Sequence, residues 1–152
     1  MFKIHVGYPT FEEELQIAET TTSRGLPDLQ SLLDSDDILH LQQVVRKVLI
    51  GRSMSAYAVR LVRATRPHEP DAPNFVKKYL TWGAGPRACQ AILLGAKAHA
   101  LLDGRVHVSS DDIRYVCYPV LRHRLVTSFS AESDGLTTDA IIGKLIEAVR
   151  EE

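Results

Sequence analysis

The chain has 152 residues, 45% of them hydrophobic and 24% charged, with a formal net charge of −1. That length suits one domain, or one domain with a fragment of another, and the balance is ordinary for a globular protein. A near-neutral chain offers no basic field to nucleic acid or an anionic membrane, no apolar run approaches the about 20 residues of a membrane span, and the start Met1-Phe2-Lys3-Ile4-His5-Val6 lacks signal-peptide architecture.

Phe2, Ile4 and Val6 alternate with Lys3 and His5, the period-2 pattern of a strand, which Gly7-Tyr8-Pro9 ends. A single strand needs a sheet, and no other long strand follows; it is expected to be the last strand of an α/β core from which the chain has been cut. Thr10-Phe11-Glu12-Glu13 reads as a capping box opening a helix to about Thr21. Ser23 to Asp34 reads as loop, broken by Gly25 and Pro27. Ser35-Asp36-Asp37 puts acids at the positive end of the next helix, Ile38, Leu41, Val44, Val45, Val48 and Leu49 form its apolar face, and Gly51 is expected to end it. A helix from about Ser53 to Thr65, a stiff proline-rich loop Arg66–Pro73 and a short helix Phe75–Leu80 follow.

Arg87 to about Leu102 spells a long helix that is apolar almost all round, so it is expected to be central and buried. Its polar residues Arg87, Gln90 and Lys97 fall on one narrow stripe. Arg105–Val108 is predicted to form a short strand, paired in a small ribbon with Leu125–Phe129. Between them Ser109-Ser110-Asp111-Asp112 opens a capped helix that Pro119 should kink or end. Thr137-Thr138-Asp139 starts the final helix, buried through Ile141, Ile142, Leu145, Ile146 and Val149.

The most informative stretch is Trp82-Gly83-Ala84-Gly85-Pro86-Arg87-Ala88. It places an arginine in the first turn of a helix, where the dipole is positive, at a cost of about 0.3–1 kcal/mol unless an anion lies near. Gly85 offers no side-chain cap, and Pro86 suits the first helical position because it has no N–H to leave unpaired. The free N–H groups and the guanidinium can converge on an anion, phosphate being the obvious one; the ordinary alternative is an ion pair with a carboxylate elsewhere in the domain.

Other charged groups have competing readings. Arg122-His123-Arg124 is a compact basic cluster, either a contact to a nucleotide or an acidic neighbouring subunit, or a solvated helix C-terminus. Arg60, Arg63 and Arg66 recur every three residues, as an interface, a nucleic-acid edge or a plain solvated face. The six histidines show no metal-ligand spacing, and capping accounts for Asp36/Asp37 and Asp111/Asp112, so no metal site is expected. Cys89 and Cys117, far apart on apolar helix faces, read as buried free thiols in a reducing compartment, and a cytoplasmic protein is expected. No GxxxxGK[ST] loop occurs, nor an apolar strand ending in Asp-Glu to hold magnesium, so this chain alone is not expected to bind ATP tightly or hydrolyse it.

These segments resemble the C-terminal part of MoxR-type AAA+ ATPases over nearly the whole chain. The matching residues are Phe2-Lys3-Ile4-His5-Val6-Gly7-Tyr8-Pro9 with the Glu-rich helix after it, Trp82 to Ala88, Ala96-Lys97-Ala98 through Gly104-Arg105, Asp111-Asp112-Ile113, and Val120-Leu121-Arg122-His123-Arg124. The resemblance implies a mainly α fold: a helical AAA+ lid bundle with a small two-stranded ribbon and a residual N-terminal core strand. Residues 1–22 would be the end of the AAA+ core and 23–152 the lid. It implies that Gly85, Pro86 and Arg87 contact nucleotide, with Arg87 as the sensor 2 arginine approaching the γ-phosphate; Gly85 stands where the family often has Ser. It further implies ATP and Mg in the full-length protein, chaperone-like activity, a homo-hexameric ring, the protein's own AAA+ core as partner, and clients bearing von Willebrand factor A domains. The alternative is a stand-alone helical module, helix-turn-helix-like, binding DNA or protein through the Arg60–Arg66 stripe.

Overall fold

A computed structural model of the chain describes residues 2–23, 25 and 29–151, with Ser23 described by its backbone alone. The described elements run α1 (Phe11–Ser23), α2 (Ser35–Lys47), α3 (Arg52–Ala64), α4 (Asn74–Tyr79), β1 (Leu80–Trp82), α5 (Pro86–Leu102), α6 (Ser110–Leu121), β2 (Val126–Thr127), α7 (Phe129–Ser133) and α8 (Thr138–Ala148). The expected helices are there, and the chain is mainly α. Their starts are chemical: Glu13 Oε2 accepts from Thr10 N–H (2.8 Å), and Asp34 and Asp37 cap α2 reciprocally. Pro27, expected as a breaker, lies outside the described residues.

The core sits where α5 meets α3 and α6, with α8 closing it. Tyr57, Leu61 and Val62 of α3, Ala88, Ile92 and Ala96 of α5, Ile113, Val116 and Cys117 of α6, and Ile141, Ile142 and Leu145 of α8 are all buried. Each of the larger aliphatic groups contributes about 1.5–3 kcal/mol on burial. Small residues on α5 let its neighbours approach: a side chain at Gly95 would lie 2.6 Å from the Phe2 ring and 3.3 Å from Val116 Cγ1. The α5 helix ends in a Schellman motif. Gly104 adopts φ +72°, and Arg105 N–H and Gly104 N–H return to the Ala100 and Leu101 carbonyls at 2.8 and 2.9 Å.

Three local expectations need correction, and one alternative is decided. Residues 2–10 form no strand within the described residues; their one backbone bond to the body is Lys3 N–H to the Pro119 carbonyl (2.8 Å). Alternating side chains give a strand only where a neighbour completes the ladder. The two-stranded ribbon exists, but β2 pairs antiparallel with β1 rather than with Arg105–Val108. The latter segment makes a single parallel bridge, His107 to Leu49, because Leu49 N–H and carbonyl bond Val106 and Val108. The third correction is at α2, which stops at Lys47; Gly51 is instead the N-cap of α3. Of the two outcomes expected at Pro119, a kink or an end, the end is excluded, since α6 continues to Leu121. Pro119 has no N–H to return to the Tyr115 carbonyl, yet the helical bonding resumes beyond it, with Arg122 N–H on the Tyr118 carbonyl at 3.1 Å.

Burial divides the chain sharply. Among the described residues none before Val48 is buried, and Ile4, Val6, Tyr8, Phe11, Ile17 and Leu39 are all more than half exposed. No described helix is long and apolar enough to cross a membrane.

Candidate functional site

The loop from Trp82 to Gly85 is held rigidly against the end of α3. Thr65, fully buried at the α3 C-cap, donates to the Val62 carbonyl (2.6 Å) and accepts from Ala84 N–H (2.8 Å). Arg66 Nε donates to the Ala84 carbonyl (3.1 Å), so both main-chain polar groups of Ala84 are pinned. Gly83 is required by closeness: an added Cβ would stand 2.3 Å from the Thr65 carbonyl oxygen. Sequence reading missed Thr65, since a threonine ending a helix carries no local mark of a bond made 19 residues away.

From this anchor α5 starts with Gly85 as N-cap, no side-chain cap, and Pro86 in the first turn. Gly85 faces open space, with nothing within 4 Å of an added Cβ, so a serine would fit there. Arg87 is exposed at the start of this helix, and among the described residues it makes no hydrogen bond or ion pair. The expected alternative, a carboxylate from the same domain, is absent among them. A hollow of about 600 Å³ runs beside Arg87, lined also by Trp82, Gly83, Gly85, Pro86, Ala88 and Arg124. An uncapped helix start and an unpaired guanidinium facing one hollow are donors without an acceptor, which fits an oxyanion. A second hollow, about 430 Å³, lies across the same loop between Trp82 and the Arg66–Glu69 turn.

The basic cluster divides among different tasks. Arg122 is committed internally: Nε and Nη2 grip Asp139 at 2.7 Å each, and Nη1 donates to the Lys3 carbonyl (3.0 Å). That fork holds the Asp139 carboxyl below the usual carboxylate range and clips the N-terminal segment to α8. His123 is exposed; burial, then the neighbouring Arg124 charge, pushes its pKa down. Arg124 donates to the Val120 carbonyl and also borders the Arg87 hollow. The residues of the Arg60–Arg66 stripe each make contacts within the chain. Arg60 donates to the Glu151 carbonyl (2.7 Å), Arg63 pairs with Glu69 (2.9 Å), and Arg66 holds Glu69 and Ala84.

Asp112 does more than cap. It accepts from Ser109 N–H (2.8 Å) and Oγ (2.9 Å), as its position in the box requires. Fully buried, it also receives Arg105 in a two-pronged contact (2.8 and 2.5 Å) and His99 Nδ1 (2.7 Å). Burial alone would raise its pKa; the Arg105, His99 and Ser109 bonds outweigh burial and hold the carboxyl well below the usual range. His99, Asp103 and Asp112 bring possible ligand atoms within 4.8 Å of one another, but Arg105 already engages both Asp112 oxygens. This is a satisfied ion-pair network fastening α5 to α6. Both cysteines are free; burial pushes the Cys117 thiol up to about 12.

The AAA lid domain family matches residues 73–145, the span that carries the Arg87 loop, the Asp112 network and the basic cluster. Chaperone MoxR1 of Mycobacterium tuberculosis (strain ATCC 25618 / H37Rv) is 36% identical over 149 residues, covering 98% of this chain and 39% of that protein. The chain belongs to the MoxR-type AAA+ ATPases, as a lid region. A second relative, the uncharacterized protein YeaC of Bacillus subtilis (strain 168), is 32% identical over 99% of this MoxR-type chain and 44% of its own length. The crystal structure of a candidate ATPase from Cytophaga hutchinsonii ATCC 33406 superposes with a TM-score of 0.86 at 32% identity, over 99% of this chain and 46% of that one. The chain thus spans less than half the length of each of these relatives.

Proposed function

We propose that this lid serves a MoxR-like AAA+ ATPase with chaperone-like activity, and that Arg87 is its sensor 2 arginine, acting on the γ-phosphate of ATP bound with Mg by the protein's own core domain. One observation carries the reading: Arg87 is exposed at an uncapped helix start, without an internal partner among the described residues, on a loop whose backbone is pinned to α3. A rigid mount and an unspent charge are what phosphoryl transfer asks of a residue that positions and stabilises charge. Gly85 and Pro86 serve by leaving the helix start open to the anion. Because Arg87 stands on the lid, its contact couples nucleotide state to lid movement.

Residues 1–22 are proposed to complete the core domain. The exposed Ile4, Val6, Phe11 and Ile17 form an apolar surface that a core domain would cover. By family likeness the full-length protein is proposed to assemble as a homo-hexamer in the cytoplasm and to act on partners with von Willebrand factor A domains. Of the basic cluster, the exposed His123 is proposed for a contact outside the lid. The test is Arg87→Ala in the full-length protein. ATP turnover is expected to fall by at least about 100-fold, the cost of deleting one transition-state donor, while the lid melts as before. Unchanged turnover together with unchanged nucleotide-dependent assembly overturns the assignment.

A further inference from the structure

Where α3, α6 and the residues after α8 meet, two buried hydrogen-bond donors lack acceptors among the described residues. Tyr57 of α3 is fully buried, and its hydroxyl has no hydrogen-bond partner among the described residues. It lies beside the Arg114 guanidinium of α6. A guanidinium only donates, so even as a neighbour it leaves the Tyr57 O–H proton without an acceptor. One turn along α3, Arg60 Nε is also buried and, among the described residues, unpartnered. Buried donors in folded proteins are normally satisfied, and two orphans side by side call for a ligand rich in acceptors.

Glu151 is partly that ligand. Its main-chain carbonyl accepts from Arg60 Nη2 (2.7 Å), and its carboxylate pairs with Arg114 Nη2. Arg114 reaches Asp111 as well (2.9 Å). Beside these contacts opens a hollow of about 730 Å³ whose wall includes Ile146 and Val149. Arg114 and Arg150 line this hollow together with the aliphatic carbons, and Arg60 lines a neighbouring one that shares Val149, a mixture that suits a peptide bearing a carboxylate better than a bare inorganic anion.

We infer that Tyr57, Arg60 and Arg114 form a carboxylate site on the lid that receives an acidic peptide segment, with Glu151 as its resident intramolecular occupant. The site is independent of Arg87. A peptide supplying a second acceptor would satisfy Tyr57 and Arg60 Nε, which Glu151 leaves unpaired, and would release the tail.

The 152-residue chain tests this by fluorescence anisotropy with a labelled peptide Glu-Ala-Val-Arg-Glu-Glu, the chemistry of the tail supplied in trans. Glu151→Gln should bind it at least about fivefold more tightly than the parent, the size of one released exposed ion pair. In that background Arg114→Ala should abolish binding and Arg114→Lys, which keeps the charge but loses the fork, should weaken it. Tyr57→Phe, which keeps the ring packing, should weaken binding by about threefold, as for a neutral hydrogen bond, without lowering the melting temperature. A Glu151→Gln chain that binds no more tightly than the parent, an Arg114→Lys chain folded and binding like its background, or inorganic phosphate competing as well as unlabelled peptide would each overturn the proposal.

Discussion

The two ends of α5 treat an arginine in opposite ways. At its C-terminus the Schellman turn delivers Arg105 onto the buried Asp112, with His99 completing the set. At its N-terminus Arg87 stands in the unfavourable field of the helix, exposed and with no acceptor among the described residues. One end is chemically closed and gives stability. The other is rigid in its backbone and open in its side chain, the condition in which a charge is available to something outside the domain.

The largest effect should come from the closed end. Asp112→Ala leaves Arg105 and His99 without their acceptor, and chemical denaturation should show a loss of about 3 kcal/mol, the low end for breaking a buried pair because Arg105 is itself 31% exposed. The same residue sets an acid limb. Its pKa is lower folded than unfolded, so the unfolded state takes up protons first; the stabilisation is full above about pH 5 and is lost as pH falls below about 4. An acid titration of the Asp112→Ala protein should show a shallower fall, and an unchanged acid limb would show that the network carries no linkage.

At the open end the backbone matters more than the side chain. Gly83→Ala drives a methyl to 2.3 Å from the Thr65 carbonyl and should cost about 1–3 kcal/mol, read in the same denaturation experiment. Arg87→Ala, in contrast, should leave stability within about 0.5 kcal/mol of the parent, with any change toward greater stability as the misplaced cation is removed. A destabilisation of Arg87→Ala comparable to that of Asp112→Ala would erase the contrast between the two ends. The smallest change is Gly85→Ser, which supplies the missing cap and should add a few tenths of a kcal/mol in thermal melts.

The helices were legible because their signals are local. Thr10 with Glu13, Asp112 three residues after Ser109, and Gly85-Pro86 before an apolar run each state a helix start in adjacent residues. The apolar periods of α3, α5, α6 and α8 picked out residues that are buried. The apolar face of α2 was equally clear in sequence, yet only Val44 and Val45 of that helix are even half-buried, since periodicity marks a face but not what covers it. The ribbon shows the same limit: Val126–Thr127 was visible as a strand, but its partner is Leu80–Trp82, more than forty residues earlier.

By itself the sequence determined where helices begin, which faces are apolar, that Arg87 sits at the wrong end of a dipole, and that no phosphate-binding loop accompanies it. All of these follow from residues within a turn or two of one another. Only the tertiary structure decided which arginines are spent. Arg122 reaches Asp139, Arg60 reaches Glu151, and Arg105 shares Asp112 with His99, whereas Arg87 finds no such partner among the described residues. A long, flexible cation shows nothing of its partner in its neighbours along the chain, because the acceptor that neutralises it is brought near only when the helices pack.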